Sequence, residues 1–218
     1  MDKKPWPNFI FTSFAFIAFE ISLILFVDKP LSLWIREISA SCELIQNVFG
    51  FYTDLGKGNW YAWPTGFITL TCLGWLYAQR DRSTQLYVRV REMTLKVGFF
   101  FLATSCAGLM TDILGPVFGR ARPKLLRDEG FYGFNPFSLN HSWNSMPSGH
   151  SATAFAVAFA FAFLFPKSRP YALTFAGLVG LSRVMLNAHY LSDVLAGAFV
   201  AFIIVKLAAI GYVKLSKP

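Results

Sequence analysis

Three short polar clusters interrupt an otherwise apolar chain, and together they hold the residue types that phosphoryl transfer needs. They are Gly119-Arg120-Ala121-Arg122-Pro123, then Pro147-Ser148-Gly149-His150, and last Ser182-Arg183 followed by His189 and Asp193. A phosphoryl group in transfer spreads negative charge over its equatorial oxygens, where positioned cations and backbone N–H groups stabilise it. Arginine suits that task because its planar fork can engage two oxygens at once. Arg122 and Arg183 are the expected phosphate-holding cations, assisted by Ser148 and the N–H groups around Gly149. A helix starting there would add the positive end of its dipole. Arg120, Lys124 and Ser182 are auxiliary candidates. His189 and Asp193 are four residues apart, hence on one face if helical. A carboxylate so placed can hold one ring N–H and leave the other nitrogen free to attack phosphorus. His150, arriving from another segment, can protonate the departing oxygen.

The elements that must bring these clusters together are apolar. The chain is 55% hydrophobic and only 15% charged, which leaves too little polar surface to cover a water-facing globule. The net charge of +8 does not point to nucleic acid, because the basic residues lie mainly in short segments between apolar runs. Six stretches approach bilayer-spanning length: about Phe9–Val27, Tyr61–Ala78, Val97–Phe118, Ser151–Phe165, Tyr171–Leu186 and Val194–Val213. The expected fold is all-α, a single membrane domain over residues 1–218 built as a six-span helix bundle. Between spans one and two, apolar residues recur at helical spacing from Trp34 to Phe49, which predicts an amphipathic interfacial helix. The first run lacks a cleavage-site pattern and reads as a retained span. The three cysteines have neither metal-ligand spacing nor an evident disulfide partner, and no metal or other cofactor is expected.

Charge sets the expected orientation. Lys3 and Lys4, the Arg80–Lys96 segment, Lys167 with Arg169, and Lys214 with Lys217 fall on one face of a six-span bundle, the cytoplasmic one. Both termini then face the cytoplasm. The basic segment holding Arg120, Arg122, Lys124 and Arg127 lies on the opposite face, with the other two polar clusters. A basic loop on that side calls for a reason other than topology, and an anionic ligand supplies one. Glu20 and Asp112, inside apolar runs, read as packing partners across helices.

These motifs resemble those of the type 2 phosphatidic acid phosphatase superfamily, whose pattern is K-x6-RP, PSGH and SR-x5-H-x3-D. The second motif is intact at Pro147 to His150, and the third at Ser182, Arg183, His189 and Asp193 with both spacings met. The first is half present, as Arg122-Pro123; Gly115 stands where its lysine should be. The resemblance implies metal-free hydrolysis of a lipid phosphate or diphosphate through a phosphohistidine. His189 is then the nucleophile, Asp193 its orienting partner, and His150 the acid. Arg122, Ser148, Gly149 and Arg183 hold the phosphate. The partners implied are a phosphorylated membrane lipid and the bilayer, with the site on the periplasmic side of the inner membrane. Candidate substrates are lipid A 1-phosphate, undecaprenyl diphosphate, phosphatidylglycerol phosphate and phosphatidic acid, and the short chain and Arg-rich outer loop lean toward the lipid A branch. Losing one charge-assisted contact at Gly115 weakens transition-state binding by roughly 1.5–3 kcal/mol unless Arg120, Lys124 or Arg127 replaces it. The same residues also fit a lipid phosphotransferase, or a lipid-phosphate binding or transport protein that has lost catalysis.

Overall fold

The computed structural model describes residues 6–40 and 42–217. Lys3 and Lys4 lie outside the described residues. Among those described, the chain is helical throughout, apart from its connections and one isolated bridge between Arg120 and Phe134. Among the described residues, three helical stretches are long and apolar enough to cross a membrane: Phe11–Ser39, Gln85–Phe118 and Leu191–Leu215.

The N-terminal helix differs from its sequence expectation. Helix α1 (Trp6–Ser22) does not end near Val27. It passes through a π-helical turn (Leu23–Val27) into α2 (Asp28–Ala40). The segment expected as one interfacial helix is therefore split, with α2 continuing the first apolar helix and α3 (Glu43–Asp54) following after a break at extended Cys42. Packing explains the split. Ile35 of α2 is buried against Val184 and Val194, and Ser32 donates to Asn187 Oδ1 at 2.6 Å, so α2 is held on the mouth of the bundle. Helix α3 buries no residue fully and keeps its amphipathic outer face.

Helix α4 (Asn59–Ala78) runs beside α5 (Gln85–Phe118). At 34 residues α5 is about 50 Å long, and it begins earlier than the apolar run implies. Thr84 caps it by accepting from the Tyr87 N–H, so Arg89, Arg91 and Lys96 are helical and not in a connecting loop. Arg91 donates to the Leu215 carbonyl at 2.8 Å, closing the far end of the bundle. At the other end Gly119 adopts φ +60, and a Cβ there would lie 1.7 Å from the Asn135 carbonyl oxygen. That left-handed turn folds Arg120 and Arg122 back over the bundle before α6 (Pro123–Glu129).

Helix α7 (Gly149–Leu164) is the hub, packed on α5, α8 (Arg169–Met185) and α9 (Leu191–Leu215). Alternate alanines from Ala152 to Ala160 are fully buried. Small side chains let helix backbones approach closely, which is how apolar helices gain contact where water supplies no driving force. At Gly197 the approach is closest: a Cβ would stand 2.5 Å from the Ser148 carbonyl oxygen. This contact locks the start of α9 against the start of α7, and those two helix starts carry the polar residues.

Candidate active site

The three polar clusters meet at one end of the bundle around a cavity of about 480 Å³. Arg122, Gly149, His150, Arg183 and His189 all line it, drawn from four different segments of the chain. Asp112, expected as a packing residue, lines it too, as do Gly115 and His141. Glu20 is buried, and neither of its carboxyl oxygens has a hydrogen-bond partner among the described residues.

His189 sits in the connection between α8 and α9 and is 4% exposed. Its Nδ1 lies 2.7 Å from the Ser145 carbonyl, which can only accept, so Nδ1 carries the proton. The lone pair is then on Nε2, the nitrogen free to act in the cavity. Asp193 Oδ2 stands 3.6 Å from Nδ1, an electrostatic neighbour rather than the ring's direct acceptor. The orienting contact expected from the carboxylate is thus made by a backbone oxygen, with the carboxylate behind it. Burial, partly offset by Asp193, pushes the His189 imidazole down to about 4. At neutral pH the ring is uncharged, as the role expected of it from the sequence requires.

Asp193 is fully buried. Its Oδ2 accepts from the Ser145 hydroxyl at 2.5 Å and the Tyr190 N–H at 2.8 Å, and its Oδ1 from Arg120 Nη1 at 2.6 Å. Arg120 is 1% exposed, its Nη2 donates to Asp28 Oδ2 at 2.7 Å, and its guanidinium lies 4.4 Å from the Tyr190 ring centroid. Burial works against its charge, but Asp193 and Asp28 more than offset it and raise its pKa. As an auxiliary phosphate ligand Arg120 is therefore corrected: both of its terminal nitrogens are committed to carboxylates behind the cavity. Lys124 is exposed on α6 and does not line the cavity. Ser182 is buried and donates to the Val179 carbonyl within its own helix.

The cavity side is less committed. Arg122 precedes Pro123, which holds it extended at φ −70, ψ 156. Its Nε and Nη2 donate to the carbonyls of His141 and Asn144 at 3.1 and 3.2 Å. Burial lowers its pKa, against the pull of Asp193, and Arg122 in turn is the main cause that lowers His141. Arg183 Nη1 donates to Thr53 Oγ1 of α3, while its Nε is buried with no partner among the described residues. An orphaned guanidinium donor beside a cavity fits an anion acceptor.

Ser148 differs from expectation. Its hydroxyl is fully buried and caps α7, accepting from Ser151 Oγ at 3.0 Å. Its contribution is to start the helix, so that Gly149 and His150 stand at the open first turn, where N–H groups have no intrahelical acceptor. Gly115 faces Asn144, with room for a Cβ at 3.4 Å. Among the residues lining the cavity, the cations are Arg122 and Arg183, and none stands at the Gly115 position.

Ser145, Thr53 and Asp28 escaped the sequence reading. Ser145 falls within the stretch leading into the second motif, but a backbone carbonyl leaves no mark in sequence. Thr53 lies outside the three polar clusters, in the connection between the first two apolar runs. Among the described residues, no group of three or more His, Cys, Asp or Glu is arranged to hold a metal ion.

Comparison with known proteins bears on this geometry. Residues 93–217 match the family model described as the PAP2 superfamily. Curated relatives include lipid A 1-phosphatases of Rhizobium etli, 40% identical over 122 residues, and Rhizobium johnstonii, 42% identical over 122 residues. These alignments cover 56% of this chain and 50% and 48% of the relatives, so the chain spans about half their length. Among solved structures, the fold resembles the first transmembrane PAP2 type phosphatidylglycerolphosphate phosphatase from Bacillus subtilis, with a TM-score of 0.63 and 21% identity over 99% of this chain and 98% of that one. It also resembles Aquifex aeolicus LpxE, with a TM-score of 0.55 and 22% identity over 84% and 95% of the two chains. At such identities the structural likeness speaks for the fold. With a family match over more than half its length, and with both intact motifs gathered at one cavity, the chain belongs to the PAP2 superfamily, and it is similar to that family's lipid A 1-phosphatases.

Proposed function

We propose that this protein is a membrane lipid phosphatase working through a phosphohistidine at His189. The observation that carries the reading is the single cavity into which His189, His150, Arg122 and Arg183 all converge. Phosphate oxygens sit against Arg122, the free Nε of Arg183 and the first-turn N–H groups of α7. The Nε2 lone pair of His189 forms the N–P bond as the bridging P–O bond breaks, and His150 gives its proton to the leaving oxygen. Water then attacks phosphorus, the N–P bond breaks, and His150 recovers a proton from the water. This cycle needs no metal, so chelators should leave turnover unchanged.

A lipid substrate is supported by the surroundings of His150. Two more cavities include it: one of about 420 Å³ between α4, α5 and α7, and one of about 610 Å³ beside Trp60 and Trp63. Both tryptophans are more than two-thirds exposed, as suits side chains at a bilayer interface. The leaving group thus departs toward an apolar, membrane-facing surface. Six spans follow if α1 with α2, α4, α5, α7, α8 and α9 each cross. Both termini and the Arg80–Lys96 segment then face the cytoplasm, and the cavity opens on the periplasmic side of the inner membrane. Lipid A 1-phosphate heads the list of substrates, by likeness to the curated relatives. The test is phosphate release by wild-type and His189→Ala protein in detergent. It uses lipid A, undecaprenyl diphosphate, phosphatidylglycerol phosphate and phosphatidic acid. Release by wild type alone is expected, and equal release by His189→Ala overturns the mechanism.

A further inference from the structure

We propose that Asp28, in the N-terminal helix, is a positioning residue for the reaction, acting through Arg120 on Asp193. The inference rests on the reading of His189 as nucleophile. Asp28 lies outside residues 93–217, which carry the family match.

The geometry is a buried relay. Arg120 divides its two terminal nitrogens between two carboxylates, Nη1 at 2.6 Å from Asp193 and Nη2 at 2.7 Å from Asp28. All three side chains are at most 1% exposed. Ser192 closes the ring: its hydroxyl accepts from Arg120 Nη1 at 2.6 Å and donates to Asp28 Oδ2, and its N–H donates to Asp28 Oδ1 at 3.2 Å. Tyr132 accepts from Arg120 Nη2 and donates to the Ile24 carbonyl, tying the relay to the π-helical turn just before Asp28. Both terminal nitrogens of Arg120 and the Ser192 hydroxyl are engaged within the relay.

One guanidinium cannot neutralise two carboxylates. By taking part of Arg120, Asp28 leaves Asp193 with uncompensated negative charge 3.6 Å behind His189 Nδ1. When Nε2 forms its bond to phosphorus, the ring becomes cationic, and that charge is what stabilises it. Without Asp28, Arg120 is wholly available to Asp193 and cancels it. Asp28 touches none of the groups that hold phosphate, so its loss should fall on turnover and spare substrate binding. A residue that merely stabilised the fold would show no dependence on Asp193.

The experiment is a double-mutant cycle on the full-length chain in detergent micelles, with lipid A and phosphatidic acid as substrates. Asp28→Asn should lower kcat roughly tenfold, the scale seen for partners one shell behind a working group. KM should stay within about twofold of wild type. In an Asp193→Asn background the Asp28 substitution should have no further effect. Wild-type kcat in Asp28→Asn, or an equal loss in the Asp193→Asn background, overturns the proposal. If Asp28→Asn does not fold, Ser192→Ala, which removes the bridging hydroxyl, decides instead. A reduced kcat at unchanged KM supports the relay, and unchanged kcat overturns it. His189→Ala separates the two claims. An inactive His189→Ala beside fully active Asp28→Asn sinks this inference alone, whereas an active His189→Ala sinks the mechanism beneath it.

Discussion

Arg120 and Arg122 stand two residues apart and face opposite sides of the same histidine. Behind His189, Arg120 is consumed by Asp193 and Asp28, and Asp193 itself accepts from three donors. In front of it, among the described residues, Arg122 spends donors on backbone carbonyls, and Arg183 Nε has no partner. The difference separates two tasks. The rear is a buried set of paired charges behind His189, and in the proposed mechanism it orients and polarises the ring. The front is left short of acceptors, and a phosphate can supply them. A site that satisfied its front donors internally would bind its substrate less well, because those contacts would first have to be broken.

This contrast can be broken most severely at the two arginines. Arg120→Ala leaves two buried carboxylates without a cation and should cost about 3–5 kcal/mol of stability, seen as a large fall in the melting temperature in detergent. Arg122→Ala should keep the melting temperature near wild type but lower kcat/KM by roughly 10²–10³ in phosphate-release assays. Equal melting shifts in the two variants would erase the distinction between rear and front. A smaller effect, and of opposite sign, is expected at Gly115→Lys. The Cβ has space beside Asn144, and the new ammonium should raise kcat/KM roughly tenfold by adding a third cation to the front. An unchanged or reduced rate would mean that the front is already sufficient. Smaller still, Thr53→Val should reduce kcat/KM a few-fold by loosening Arg183.

Acid should act at the cavity-side nitrogen of His189. Protonated His189 has no lone pair, so kcat/KM should fall as pH drops through about 4. The stability sign follows from the same displacement. The folded ring is held below its ordinary value of 6.5, so the unfolded chain binds the proton more readily between that value and about 4. Melting temperature should fall as pH is lowered through this window; a rise would contradict a buried neutral His189.

Much of the front was legible in the sequence, because its chemistry is carried by side-chain type at fixed spacing. His189, His150, Arg122 and Arg183 line the cavity, and the apolar runs mark the cores of the helices that hold them. The rear was largely hidden. In Gly-Arg-Ala-Arg-Pro the proline singles out Arg122 as the motif arginine, but nothing marks Arg120 as the partner of two buried carboxylates. The left-handed turn at Gly119 decides which one turns inward and which faces the cavity. Ser148 reads as a phosphate ligand because its hydroxyl is polar, yet helix capping claims it first. The amphipathic run after span one predicted one interfacial helix, with packing on the bundle mouth compatible with the same pattern. Periodicity, however, cannot tell a surface helix from one whose apolar stripe is docked on the bundle by Ile35.

The relay also has an order in time. Asp28 and Arg120 are 92 residues apart, and Ser192 follows Asp28 by 164. At roughly 5–20 residues per second, synthesis of Asp28 precedes that of its cation by several seconds. During that interval the N-terminal helix carries a carboxylate that its final surroundings accept only when paired. Its docking therefore waits on the later half of the chain, and nascent chains ending before Arg120 should hold α1 and α2 loosely, as substrates for membrane quality control rather than as a preformed half of the bundle.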